Sequence, residues 1–89
     1  MATNKPETSN ITEPNATIKV GVIFKGDKIV PKWFILEQRK YEIKEINYFW
    51  LDRAGKERLH CFSVTDGANN YELVFHTEKT IWKLIKVFG

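Results

Sequence analysis

The sequence predicts a small all-β domain behind a polar tail, and three observations carry that prediction. Short runs rich in Val, Ile, Phe, Tyr and Trp alternate with polar residues at the period of two expected of half-buried strands. Turn residues separate these runs at the spacing of an antiparallel meander. The chain has 89 residues, 43% hydrophobic and 13% aromatic, with one cysteine, so an aromatic core and no intrachain disulfide must hold a single domain.

Residues 1–17 are mostly Thr, Asn, Ser, Pro and Glu, with Ile11 the only large apolar side chain after Met1. Such a stretch cannot offset its ordering entropy by burial and reads as a disordered tail, leaving 18–89 as the domain. Asn10-Ile-Thr12 and Asn15-Ala-Thr17 match the glycosylation acceptor pattern, but the first ten residues carry neither a basic nor an apolar export region.

Ile18 to Phe24 is the first strand, and Gly26-Asp27 supplies a two-residue hairpin turn into Lys28 to Leu36. Pairing Lys25 with Lys28 sets Phe24 opposite Ile29 and Val20 opposite Trp33. Two apolar stripes then compete, and Pro31, which cannot donate to a ladder, marks a bulge that moves the inward phase from Ile29 to Phe34 and Leu36. After a turn over Glu37 to Lys40, Tyr41 and Ile43 are out of step with Ile46, Tyr48 and Trp50, which calls for a second bulge near Lys44-Glu45. A hairpin centred on Gly55 sets Trp50 opposite His60, Tyr48 opposite Phe62, Ile46 opposite Val64 and Asp52 opposite Arg58. The turn Asp66 to Asn70 then sets Val64 against Leu73 and Phe62 against Phe75. Trp50, Phe62, Val64, Leu73 and Phe75 are the expected central core. Thr80 to Phe88 also fits a helix face, but its β-branched and aromatic content and the short connection His76 to Lys79 favour a strand. The expectation is a five- to six-stranded antiparallel meander that closes into a barrel of the SH3-like or oligonucleotide-binding (OB-like) kind, which removes exposed edges.

At Trp33-Phe34, Arg39-x-Tyr41, Trp50, His60-x-Phe62, Tyr71-Glu-Leu73 and Trp82-x-Leu84 the chain resembles a group of short bacterial proteins of uncharacterised function. That group is similar to small barrel domains found alongside DNA-repair polymerase-like proteins. The resemblance covers roughly residues 26 to 88 and implies a β barrel in a bacterial cytoplasm, without catalytic or ligand residues to carry over.

Function is read from charge and from constellations of side chains. Residues 18–89 hold thirteen basic and nine acidic side chains, enough to attract phosphates or acidic protein surfaces. Lys28, Lys32 and Trp33, followed by Arg39, Lys40 and Lys44, form a basic and aromatic grouping. If Phe34 and Leu36 point inward, Trp33 stands outside beside cations, where it could stack an unpaired base of a single-stranded or structured nucleic acid. In the alternative, Trp33 is a core residue opposite Val20. A protein partner held at a strand edge or apolar groove is the rival function.

Chemistry finds less footing. His60, Cys61 and His76 lack zinc-ligand spacing, and alternation leaves only Cys61 and His76 able to meet. Ser63 leaves its strand on the face opposite His60, so Ser63, His60 and Asp66 do not build a nucleophile and base. The expectation is a non-enzymatic cytoplasmic binding module with no cofactor. The longest apolar runs, about 4 to 5 residues, fall far short of the roughly 20 a membrane helix needs.

Overall fold

The computed structural model describes residues 15–89. Most of the expected tail, with Asn10-Ile-Thr12, lies outside the described residues. Its last two positions do not belong to a tail, because Ala16 and Thr17 pair with Leu84 and Lys83 in the sheet. Seven strands follow among the described residues: β1 (Ala16–Lys25), β2 (Lys28–Leu36), β3 (Arg39–Glu42), β4 (Glu45–Ala54), β5 (Glu57–Thr65), β6 (Asn70–His76) and β7 (Ile81–Phe88). They form one antiparallel sheet in the order β3-β2-β1-β7-β6-β5-β4. The all-β prediction holds, the final run is a strand, and no helix among the described residues is long and apolar enough to cross a membrane.

The strand count departs from the expected five or six. Glu37 and Gln38 both adopt positive φ, 51° and 69°, which makes a tight two-residue turn and puts Arg39 and Lys40 into a strand instead of a loop. The phase conflict between Tyr41 and Ile46 is then resolved by a break. Ile43 donates its N–H to Lys32 O at 3.0 Å, and the next residue, Lys44, donates to Thr65 O at 2.8 Å. Two consecutive residues thus bond to the second and the sixth strands of the sheet order, so the sheet must be curled.

That curl encloses one core. Ile18, Phe34, Phe62, Val64, Tyr71, Leu73, Trp82 and Leu84 are buried together on the concave face. Phe34 meets Tyr71 edge-on at 5.0 Å and stacks on Tyr41 at 5.0 Å, so β2 and β3 touch β6 across the interior. The barrel nevertheless does not close, and here the SH3-like or OB-like expectation is corrected to an open half-barrel. β3 is only four residues long and covers β2 from Trp33 to Leu36, with Ile43 reaching Lys32, so Lys28 to Pro31 has no strand on its outer side and does not pair with β4.

Two registers decide which side chains enter the core. In the β1–β2 hairpin Lys25 pairs with Lys28 and Phe24 with Ile29, as expected, and Gly26 takes φ 63° in the turn. A bulge then skips Lys32, and the inward phase passes from Ile29 and Pro31 to Phe34, as Pro31 suggested. Trp33 is consequently opposite Gly21, and Val20 is opposite Phe34. In the β4–β5 hairpin the turn is the pair Gly55-Lys56, so Ala54 meets Glu57 and Trp50 meets Cys61 instead of His60. That one-residue slip sends Trp50 and Tyr48 to the outer face and brings Phe49 and Leu51 inward. It also sets Asp52 opposite Leu59 and not Arg58. A bulge at Asn47 returns Ile46 to Val64.

Candidate interaction surface

The six basic and aromatic residues singled out in the sequence do not share one surface. Trp33 lies on the outer face of β2, half-buried, with its indole on the backbone of Gly21: a Cβ there would fall 2.1 Å from the ring. Lys40 Nζ sits 5.0 Å from the Trp33 ring centroid and 3.4 Å from Glu42 Oε2. The core placement of Trp33 is thereby overturned, for a glycine across the ladder leaves room for the ring outside. Lys28 and Lys32 are exposed on β2, Lys28 beside the hairpin turn and Lys32 at the bulge.

Arg39, Lys40 and Lys44 all line a mouth of about 460 Å³ at the end of the half-barrel where β3 passes into β4, with the Lys40 ammonium turned to the Trp33 ring. Leu36, Tyr41, Glu42, Asp66, Asn69, Tyr71 and Val87 complete its lining. Asp66 is fixed there: its Oδ1 accepts the N–H groups of Ala68 and Asn69 at 2.8 Å each, and Tyr71 donates its hydroxyl to Oδ2 at 2.7 Å. Burial opposes ionisation of Asp66, but these donors prevail and hold its carboxyl below the ordinary aspartate value. Burial, and then the bond to Asp66, push the Tyr71 phenol upward.

The open side of the half-barrel is apolar. A groove of about 460 Å³ runs between the start of β2 and strand β4, lined by Asp27, Lys28, Ile29, Val30, Ile46, Phe49, Leu51, His60 and Phe62. Its floor continues the core, since Phe49 lies 5.1 Å from Phe62 and Phe62 lies 5.6 Å from Trp82. His60, opposite Leu51 on the ladder, is part of this floor.

The two lips of the groove differ. Because Lys25 and Lys28 flank a two-residue turn, they exchange hydrogen bonds, and the backbone groups of Ile29 and Pro31 face the uncovered side. Pro31 has no N–H, so this lip is blunted. On the other lip, Ala54 and Glu57 flank the turn, so Tyr48, Trp50 and Asp52 bond to β5 while Phe49, Leu51 and Arg53 aim N–H and C=O outward. No proline interrupts that row. Every residue of β4 is exposed, including Tyr48 at 71%, Leu51 at 64%, Phe49 at 53% and Trp50 at 37%. Sequence reasoning missed this edge because the hairpin register it assumed put Trp50 inside.

The remaining polar groups serve the fold. Glu57 is buried beneath the turn after β6, where its Oε2 accepts the N–H groups of Lys79 and Glu78, both at 3.0 Å. Its Oε1 meets His76 Nδ1 at 3.2 Å and Lys79 Nζ at 3.1 Å. The Lys79 N–H first, against the opposing effect of burial, and then the other donors pull this carboxyl down to about 2. His76 is thus engaged with Glu57, and Cys61, buried opposite Val74, lies diagonal to His76 on the outer face. Among the described residues no three His, Cys, Asp or Glu side chains converge as metal ligands would. Comparison of the chain with protein-family models, with curated proteins and with solved structures found no match.

Proposed function

We propose that the protein is a non-enzymatic, cytoplasmic protein-interaction module that accepts an extended strand from another polypeptide at the edge of β4. One observation carries the reading: β4 is a ten-residue edge with outward backbone groups at Phe49, Leu51 and Arg53, bordered by an apolar groove. A strand added there gains main-chain hydrogen bonds from the edge, and its alternate side chains can enter the groove. A library of displayed ten-residue peptides tests this. Selected peptides should share alternating apolar residues, shift the amide resonances of Phe49 and Leu51, and lose affinity in Leu51→Lys. Selection of peptides whose binding perturbs other strands would overturn it.

A second reading, binding of a single-stranded nucleic acid, is supported by the convergence of Arg39, Lys40 and Lys44 around Tyr41 at the mouth. Trp33 is not its stacking platform, because Lys40 already lies over the ring. An oligonucleotide bound at the mouth should weaken steeply with salt, and Arg39→Ala should reduce that slope by about 1. A strand bound at β4 should be nearly indifferent to salt.

A further inference from the structure

We infer that the chain which pairs with β4 is a second copy of this protein, forming a two-fold symmetric antiparallel β4–β4 dimer. This rests on the reading of β4 as a docking edge and names its occupant.

The argument begins with the edges the sheet leaves open. A free strand edge templates pairing with another chain unless it is short, charged, interrupted by proline or covered. β3 is four residues long, and three of those are charged: Arg39, Lys40 and Glu42. The exposed start of β2 lacks a donor at Pro31. Among the described edges only β4 is long, and beyond its bulge at Asn47 the run from Tyr48 to Ala54 is free of proline and apolar along its middle. Every copy of the chain therefore brings the same unprotected edge, and an antiparallel pair of such edges satisfies both at once.

The residues on β4 are self-complementary in that arrangement. A two-fold axis perpendicular to the sheet at Phe49 lets the outward N–H and C=O of Phe49 exchange bonds with those of Phe49 in the second copy, and sets Leu51 against the bulged Asn47. Tyr48 then meets Trp50 of the second copy on the outer face, twice, and the two Phe49 rings adjoin on the inner face. Cross-strand aromatic pairs of this kind are among the more stabilising ones. Charge agrees with the direction. Glu45 opens the strand and Arg53 stands near its end, both exposed; antiparallel pairing brings them to the same register position, with Glu45 on the outer face and Arg53 on the inner one because of the bulge at Asn47, so they attract across the seam without forming a direct pair. Parallel pairing would instead align Glu45 with Glu45 and Arg53 with Arg53. The contact is one strand wide on each side, which suits a dissociation constant in the micromolar range.

Sedimentation equilibrium of the full chain from about 1 to 300 μM tests the inference. The expected result is a reversible monomer–dimer equilibrium, with slow amide exchange at Phe49 and Leu51 only at the higher concentrations. Leu51→Lys, at a site already 64% exposed, should remain folded and monomeric. Tyr48→Lys and Trp50→Glu should each weaken the dimer roughly tenfold by removing an aromatic pair twice about the axis, and the double variant, in which opposite charges face each other at those two positions, should recover part of the loss. A dimer that persists in Leu51→Lys, or a double variant that is no better than its parents, would overturn the inference. So would a monomer throughout the range. Fast exchange at Phe49 and Leu51 in that monomer would leave β4 open to a different chain and the docking reading intact, whereas slow exchange there would remove both.

Discussion

Gly21 is the residue that decides where the Trp33 ring can lie. It is opposite Trp33, and the indole occupies the space where any other residue would place a Cβ. Gly21→Ala must move the ring, which releases its contact with Lys40. The expected cost is about 1 to 3 kcal/mol of stability, the range for inserting a methyl into a packed site. The Trp33 indole N–H resonance should shift as well, and an unchanged spectrum with unchanged stability would contradict the packing. Cys61 makes a different prediction. Burial first, and then the nearby charges of Asp52 and Glu72, push its thiol up to about 11. Since the thiolate is the reactive form, alkylation at pH 8 should be slow in the native protein and fast in denaturant. Rapid labelling of the folded chain would contradict the burial of Cys61 on the outer face of β5.

Among the elements, hairpin register separates what the sequence revealed from what it hid. The loop before β6 was misread by two residues, since Phe62 pairs with Leu73 and Val64 with Tyr71. A slip of two preserves the face, and Phe62, Val64 and Leu73 are buried as expected, with Phe75 packed against them. At the turn before β5 the expected and observed registers differ by one, which reverses the face and puts Trp50 outside. Glycine alone does not tell whether it centres a three-residue loop or begins a two-residue one, so the exposed edge of β4 was not legible. Phe62→Ala should cost about 3 to 5 kcal/mol, and Trp50→Ala distinctly less. Equal losses in thermal melts would reject the observed register. The β6–β7 turn carries a pH prediction of known sign. The Glu57 carboxyl has a folded-state pKa of about 2, below the unfolded value of about 4.3. Across that window the unfolded chain binds more protons, so the stability Glu57 contributes is complete above it and is lost as pH falls through it. Glu57→Gln should lower the melting temperature at pH 7 and narrow its gap to wild type towards pH 2. A constant gap would argue against the ionised carboxylate as the cause.

For the whole molecule, the chain divides into two meanders that meet in the middle of the sheet. β1 to β3 form one, and β4 to β7 the other. They are joined along the ladder only where Ala16, Thr17 and Ile18 pair with Leu84, Lys83 and Trp82, and along the chain at Ile43 and Lys44. Burial is divided unequally between them. The first meander contributes Ile18, Pro31 and Phe34 to the buried set, while the second contributes most of the core, from Cys61 to Leu84. The first meander is therefore the weaker unit and should open before the second, because local opening free energies follow buried contacts. Native-state amide exchange in low denaturant should show residues 16–42 exchanging together at a lower free energy than β5, β6 and β7. Ile18 is the test position, buried where the two halves pair, and Ile18→Ala should cost about 2 to 5 kcal/mol. Its loss should fall mainly on the junction, so exchange in β1 to β3 should accelerate by more than exchange in β6. If both meanders speed up equally, the sheet opens as one cooperative unit, and the three-pair junction is not its weak line.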